Sequence, residues 1–198
     1  MPQPSALSPD NTLVAAKRLL PEDVAGILDQ AIEQMIARGA TGVVSISDRV
    51  GNILAVSQHG VSTRYVQVAP GPGAETAAGN VGLQSALVPR TAVAISKAVT
   101  GAYVSSGGNA FSTRTASMII QPHFPPTTYT VGLESGPLFG LQFSQLACSD
   151  VMASAEAELD HNIGPRKSPL GMSADPGGFP LYKEGVLVGG IGVSTKAI

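Results

Sequence analysis

Residues 21–56 read PEDVAGILDQAIEQMIARGATGVVSISDRVGNILAV, and this stretch decides the fold. In its first half Val24, Ile27, Leu28, Ala31, Ile32, Met35 and Ile36 recur at helical spacing and make one apolar stripe. Pro21 suits the first helical position. Glu22 and Asp23 sit at the positive end of the helix dipole, and Gly39 suits the stop. The spacing predicts a helix over 21–38. In the second half Val43-Val44-Ser45-Ile46-Ser47 reads as a strand and Asp48-Arg49-Val50-Gly51-Asn52 as a turn, followed by Ile53-Leu54-Ala55-Val56 as a second strand. A helix followed at once by a hairpin predicts an α+β layer, with the helix covering one face of the sheet.

Working outward, Phe179–Tyr182, the turn Lys183-Glu184-Gly185 and Val186–Val193 predict a closing hairpin. Its last strand is apolar on both faces, which suits a central place in the sheet. Between the two hairpins Pro89 restarts helix. Ala92, Ile95, Val99, Ala102 and Tyr103 form a stripe flanked by Ala94, Ser96, Ala98 and Gly101. So many small residues admit another backbone, so burial is expected on more than one side, by the sheet and by a partner subunit. Asn109 or Ser112 can cap a second short helix through about Gln121, which Pro122, Pro125 and Pro126 end. Residues 1–19 read as an N-terminal arm and 20–198 as one domain, with loop insertions near 57–88 and 141–174. Within the second insertion Asp150–His161 suits a surface helix capped by Ser149 or Asp150, and 127–149 reads as mixed loop with short strands.

The chain has 198 residues, 43% hydrophobic and 13% charged, against about 25% charged in an average domain. Disorder driven by charge is excluded. With a formal charge of −2 there is no basic surplus to neutralise phosphates, so nucleic-acid binding is not expected. No run approaches the ~20 apolar residues of a membrane span. Met1–Ser5 lacks a positive region and an apolar core, so no signal peptide is read and a cytoplasmic location is expected, a secreted form with its leader removed remaining open. Cys148 is the only cysteine, and it reads as a small buried hydrophobe.

Several chemistries are missing from the sequence. There is no Walker A run and no Gly-x-Ser-x-Gly elbow. Gly189-Gly190-Ile191-Gly192 lies inside a strand, where glycine marks close packing or the approach of a ligand. Glu158 and His161 lack the partner carboxylates a helical metal site needs. The constellation that stands out is cationic and hydroxyl-rich. Lys97 and Thr100 share the small-residue helix, while Ser112, Thr113, Arg114 and Thr115 open the next. The reading is an anion pocket, set against a helix cap with solvated charges.

Three blocks carry a resemblance. They are Leu20–Val56; Ile95–Tyr103 running on through Phe111–Ala116; and Gly136–Gly140 with Asp175–Tyr182 and Val188–Ser194. Together they resemble the GlcG/HbpS family, the haem-binding or haem-degrading DUF336 family, related to the C-terminal domain of PduO. The resemblance implies a profilin-like three-layer α/β/α fold with an antiparallel sheet of about five strands. It also implies homo-oligomers and an association with haem. Lys97, Arg114 and the Gly177-Gly178-Phe179-Pro180 turn are carried over as motif positions. Relatives continue into another helix where this chain stops at Ile198, and the N-terminal histidine ligand of PduO-type relatives has no counterpart in 21–38. His123, His59 and Tyr103 remain as candidate iron ligands, His123 first. Three functions are therefore open: an oligomeric haem or tetrapyrrole binder involved in haem and iron handling, an enzyme or sensor for a small organic acid with Lys97 as base, or a non-catalytic assembly protein. In the first two, both helices and the final turn are expected to converge on one electropositive hollow, completed when copies of the chain associate.

Overall fold

The computed structural model describes residues 17–61, 63–68, 86–139 and 170–195. The elements are helix α1 (Pro21–Ala37), strands β1 (Gly42–Asp48), β2 (Ile53–His59), β3 (Tyr65–Gln67) and β4 (Leu87–Pro89), helices α2 (Arg90–Tyr103) and α3 (Thr113–Ile119), a 3₁₀ turn at Thr128–Thr130, and strands β5 (Gly178–Lys183) and β6 (Val186–Ser194). The main sheet is antiparallel, in the order β2-β1-β6-β5. The architecture is α+β, with four strands in this sheet rather than about five. The other two strands, β3 and β4, pair with each other in a separate small sheet. The predicted surface helix at 150–161, Cys148 and most of the two predicted insertions lie outside the described residues.

β1 is buried on both faces, because α1 and α2 cover opposite sides of it. Register shows how α2 fits. Ser45 pairs with Gly192, Ser47 with Gly190, and Gly178 with Gly192, so these residues share one face. A Cβ at Gly190 would overlap the Ala98 carbonyl oxygen, and one at Gly192 the Ala94 carbonyl. A Cβ at Gly101 would come 2.7 Å from the Phe179 carbonyl carbon. Small residues on helix and sheet therefore let two backbones touch. The close approach expected of a small-residue helix is made to the chain's own sheet. Ser45, Ser47 and Ser194 are buried with no hydrogen-bond partner for their hydroxyls. Their small size is what admits the helix, at a desolvation cost of about 1–3 kcal/mol for each such group.

On the other face Val24, Ile27, Leu28, Ala31 and Ile32 of α1 are half-buried and only Met35 is fully covered, while Ile36, expected on the same stripe, is exposed because it lies at the helix end beyond the edge of the contact. The start of α1 is fixed by tertiary contacts. The Asp23 carboxylate accepts from the Leu20 amide at 2.8 Å and from Lys183 at 2.6 Å. Lys17 pairs with Glu184 at 2.7 Å. The tip of the β5–β6 hairpin thus holds the chain entering α1. Val93 of α2 packs with Val66 and Val88 of the small sheet in a second apolar cluster. Among the described residues no helix is long and apolar enough to cross a membrane.

Candidate functional site

The three segments expected to converge do meet, and they meet by contact. Lys97 lies with its Cδ beside Gly177, and the Gly178 backbone fills the space between the Lys97 carbonyl and the Thr113 methyl. The Gly178 amide donates to the Thr113 hydroxyl at 3.0 Å. The Ser173 amide donates to the Thr100 hydroxyl at 2.8 Å, and Thr100 donates to the Ser96 carbonyl at 2.7 Å. Ser96 in turn bonds the Gly171 carbonyl. These hydroxyls hold the 171–178 strap against α2 and the start of α3. Ser112, not Asn109, caps α3 by accepting from the Thr115 amide at 3.2 Å. Arg114 is exposed. Phe179, 51% exposed, stands on the face opposite Gly178 because strand side chains alternate; Pro180 shares Gly178's face. The structure thus joins Lys97, Thr100, Thr113, Gly177 and Gly178, and leaves Arg114 and the Phe179 side chain outside that cluster.

Lys97 is the charged centre of the seam. It is 5% exposed, and among the described residues its ammonium makes no hydrogen bond. Desolvation pushes its pKa below the ordinary lysine range, and the negative field of Asp175 opposes that fall. The folded protein therefore releases this proton at lower pH than the unfolded chain does, and stability rises as pH climbs through that window. Lys97→Met, which keeps the aliphatic stem, should melt higher than wild type near neutral pH by about 1–3 kcal/mol. The gap should narrow toward about pH 10. A gap that stays constant in melts across that range would show that Lys97 carries no such shift.

The candidate iron ligands are scattered. His123 follows α3 in a loop closed by Gly136 amide to Gln121 carbonyl and Leu138 amide to Ile119 carbonyl bonds. Its Nδ1 lies 3.0 Å from the Thr130 hydroxyl. His59 ends β2. Among the described residues no group of three His, Cys, Asp or Glu could hold a metal ion.

A different place has the form of a ligand site. A cleft of about 780 Å³ opens beneath the C-terminal end of α2, between the β1–β2 turn and the chain entering α1. Leu19, Ala102, Leu187 and Val188 line it, with Val50 and Leu54 at the rim. Lys17, Arg18 and Arg49 bring three cations to it. Lys17 is paired with Glu184, whereas Arg18 and Arg49 are in no ion pair among the described residues. Asp48 also lines the cleft, yet its carboxylate is committed to the turn. It accepts from the Val50 amide at 3.0 Å, the Asn52 amide at 2.8 Å and the Asn52 side chain at 2.7 Å. Tyr103 closes the wall by donating to the Val50 carbonyl at 2.8 Å, which clamps the turn to α2. Burial and then the Asp48 charge push the Tyr103 phenol above its usual range. Apolar walls with a few cations suit an amphipathic anion of drug-like size, for which pockets of ~300–1,000 Å³ are usual.

Against known proteins, the fold is what matches. No protein-family model matches the chain, and no curated protein sequence does. The crystal structure of a PduOC:haem complex aligns at 19% identity with a TM-score of 0.50, over 92% of this chain and 86% of that one. This chain has the PduOC fold. The crystal structure of Klebsiella pneumoniae protein ORFY, a DUF336 protein, aligns at 15% identity with a TM-score of 0.49, over 98% of this chain and 86% of that one. The α+β class and the likeness to PduOC that the sequence resemblance implied are found, with a main sheet of four strands in place of about five. The cleft cations belong to no motif singled out as a site in the sequence. Arg49 stood there as a turn residue and Tyr103 as a candidate iron ligand, while Lys17 and Arg18 stood at the end of the arm.

Proposed function

We propose that this protein binds a tetrapyrrole, with haem the member of the class that its resemblances favour, and that the ligand lies in the cleft beneath α2. One observation carries the reading: an apolar cleft of about 780 Å³ with the Arg18 and Arg49 guanidiniums at its edge and no described acid paired with either. A porphyrin presents a broad apolar ring with carboxylates on one side. Leu19, Leu54, Leu187 and Val188 offer apolar contact to the ring, and guanidinium forks match carboxylates bidentately. That the aligned PduOC structure is a haem complex supports the same class. Haem makes a third demand, an axial ligand to its iron. Tyr103 is the one described side chain of that kind in the cleft, and its hydroxyl proton is already given to Val50. The residues fit the ring and its carboxylates; they do not fit the iron.

Hemin titrated into the protein should give a saturable change in the Soret band at one equivalent per chain. A response that grows without saturation, equal to that given by an unrelated protein, would remove this reading.

A further inference from the structure

The mismatch at the iron has a consequence for what the cleft selects. Haem iron takes imidazole, thiolate, thioether or tyrosinate. For Tyr103 to supply tyrosinate it would first have to lose the proton it donates to the Val50 carbonyl at 2.8 Å. That bond is the link between α2 and the 48–52 turn, and the turn carries Arg49 and Val50 to the rim. Ligation would thus undo the contact that shapes the cleft. The surroundings oppose ionisation as well, since the phenol is half-buried beside the Asp48 carboxylate. The described histidines stand apart. His59 lies five residues beyond Leu54 along β2, about 16 Å away at ~3.3 Å per residue. His123 is in the loop that follows α3, its Nδ1 turned to Thr130. Among the described residues, the apolar and cationic part of the lining is complementary to an apolar plate with anionic edges, and Tyr103 lines the same cleft as a neutral phenol.

We propose that the cleft recognises the porphyrin ring and its carboxylates and not the metal, so that metal-free porphyrin and haem are equivalent ligands. The inference rests on the tetrapyrrole reading above and sharpens its substrate class. It casts the protein as a holder of the macrocycle, indifferent to whether iron is present.

Hemin and protoporphyrin IX titrated separately into the wild-type chain, one by absorbance and the other by fluorescence, compare the two ligands without any substitution. The dissociation constants should agree within about threefold. Tyr103→Phe, checked first for a normal melt, releases the turn from α2 and should therefore weaken both ligands by the same factor, while leaving the Soret position of the hemin complex unchanged. Hemin binding more than about tenfold tighter than protoporphyrin overturns the proposal, whether or not Tyr103→Phe abolishes the excess. Failure of both ligands to bind would instead remove the tetrapyrrole reading, and this inference with it.

Discussion

Gly192→Ala is expected to destabilise the protein by about 3 kcal/mol or more, because overpacking at a backbone–backbone contact leaves no side chain to yield. The new methyl would overlap the Ala94 carbonyl, with the Ala98 amide and the Lys97 Cβ also in its way. Relief would require α2 to lift off β6, the most extensive contact between any two described elements. At ~2–4 °C per kcal/mol for a chain of this size, the midpoint of thermal unfolding should fall by about 6–12 °C. Gly26→Ala provides the opposite case with the same chemical change. Gly26 lies inside α1, and nothing comes within 4 Å of the place its new methyl would occupy, so alanine should add about 0.5–1 kcal/mol through helix propensity. Equal effects from the two substitutions would contradict the packing described for α2.

Hemin affinity is expected to fall about tenfold in the Arg18→Ala/Arg49→Ala double variant, which is about 1.4 kcal/mol. Both guanidiniums are exposed, so each alone should contribute only ~0.2–1 kcal/mol. Their joint effect comes from holding carboxylates at one edge of an otherwise apolar ring. The loss should shrink as salt is raised, since exposed charges are screened over ~8–10 Å at physiological ionic strength. Arg114→Ala separates the cleft from the hollow expected at Lys97 and Arg114. The cleft account predicts hemin affinity unchanged within about threefold in that variant. A loss with Arg114→Ala, and none with the double variant, would move the ligand to the seam.

Much of the architecture was legible because the signals were local. The α1 stripe repeats every three or four residues and the Asp48–Asn52 and Lys183–Gly185 turns each lie within a few residues; α1, β1, β5 and β6 formed within a residue or two of their expected bounds, whereas β3 and β4 formed in a stretch read as loop. β6 is central, as its two apolar faces required. β2 runs on to His59, past the expected end at Val56, because β1 offers partners as far as Gly42. The residues expected as a ligand site were less legible. Period-2 alternation in β5 already separates Gly178 from Phe179, so a pocket using both side chains was never geometrically open. The hydroxyls of Thr100 and Thr113 read as ligand donors in sequence, yet a strap more than sixty residues away claims them. The cleft was invisible for the converse reason. Lys17 and Arg18 reach it because the Lys17–Glu184 and Lys183–Asp23 pairs tie the chain entering α1 to the distant hairpin tip. No spacing rule joins residues 17, 49, 103 and 187.

The structure of the protein crystallised with protoporphyrin IX or hemin tests the account most directly. The ring should lie against Leu54, Leu187 and Val188, with its carboxylates at Arg18 and Arg49 and the Tyr103 hydroxyl still bonded to Val50. A macrocycle seated at Lys97 and Arg114, or on the loop that carries His123, would contradict it.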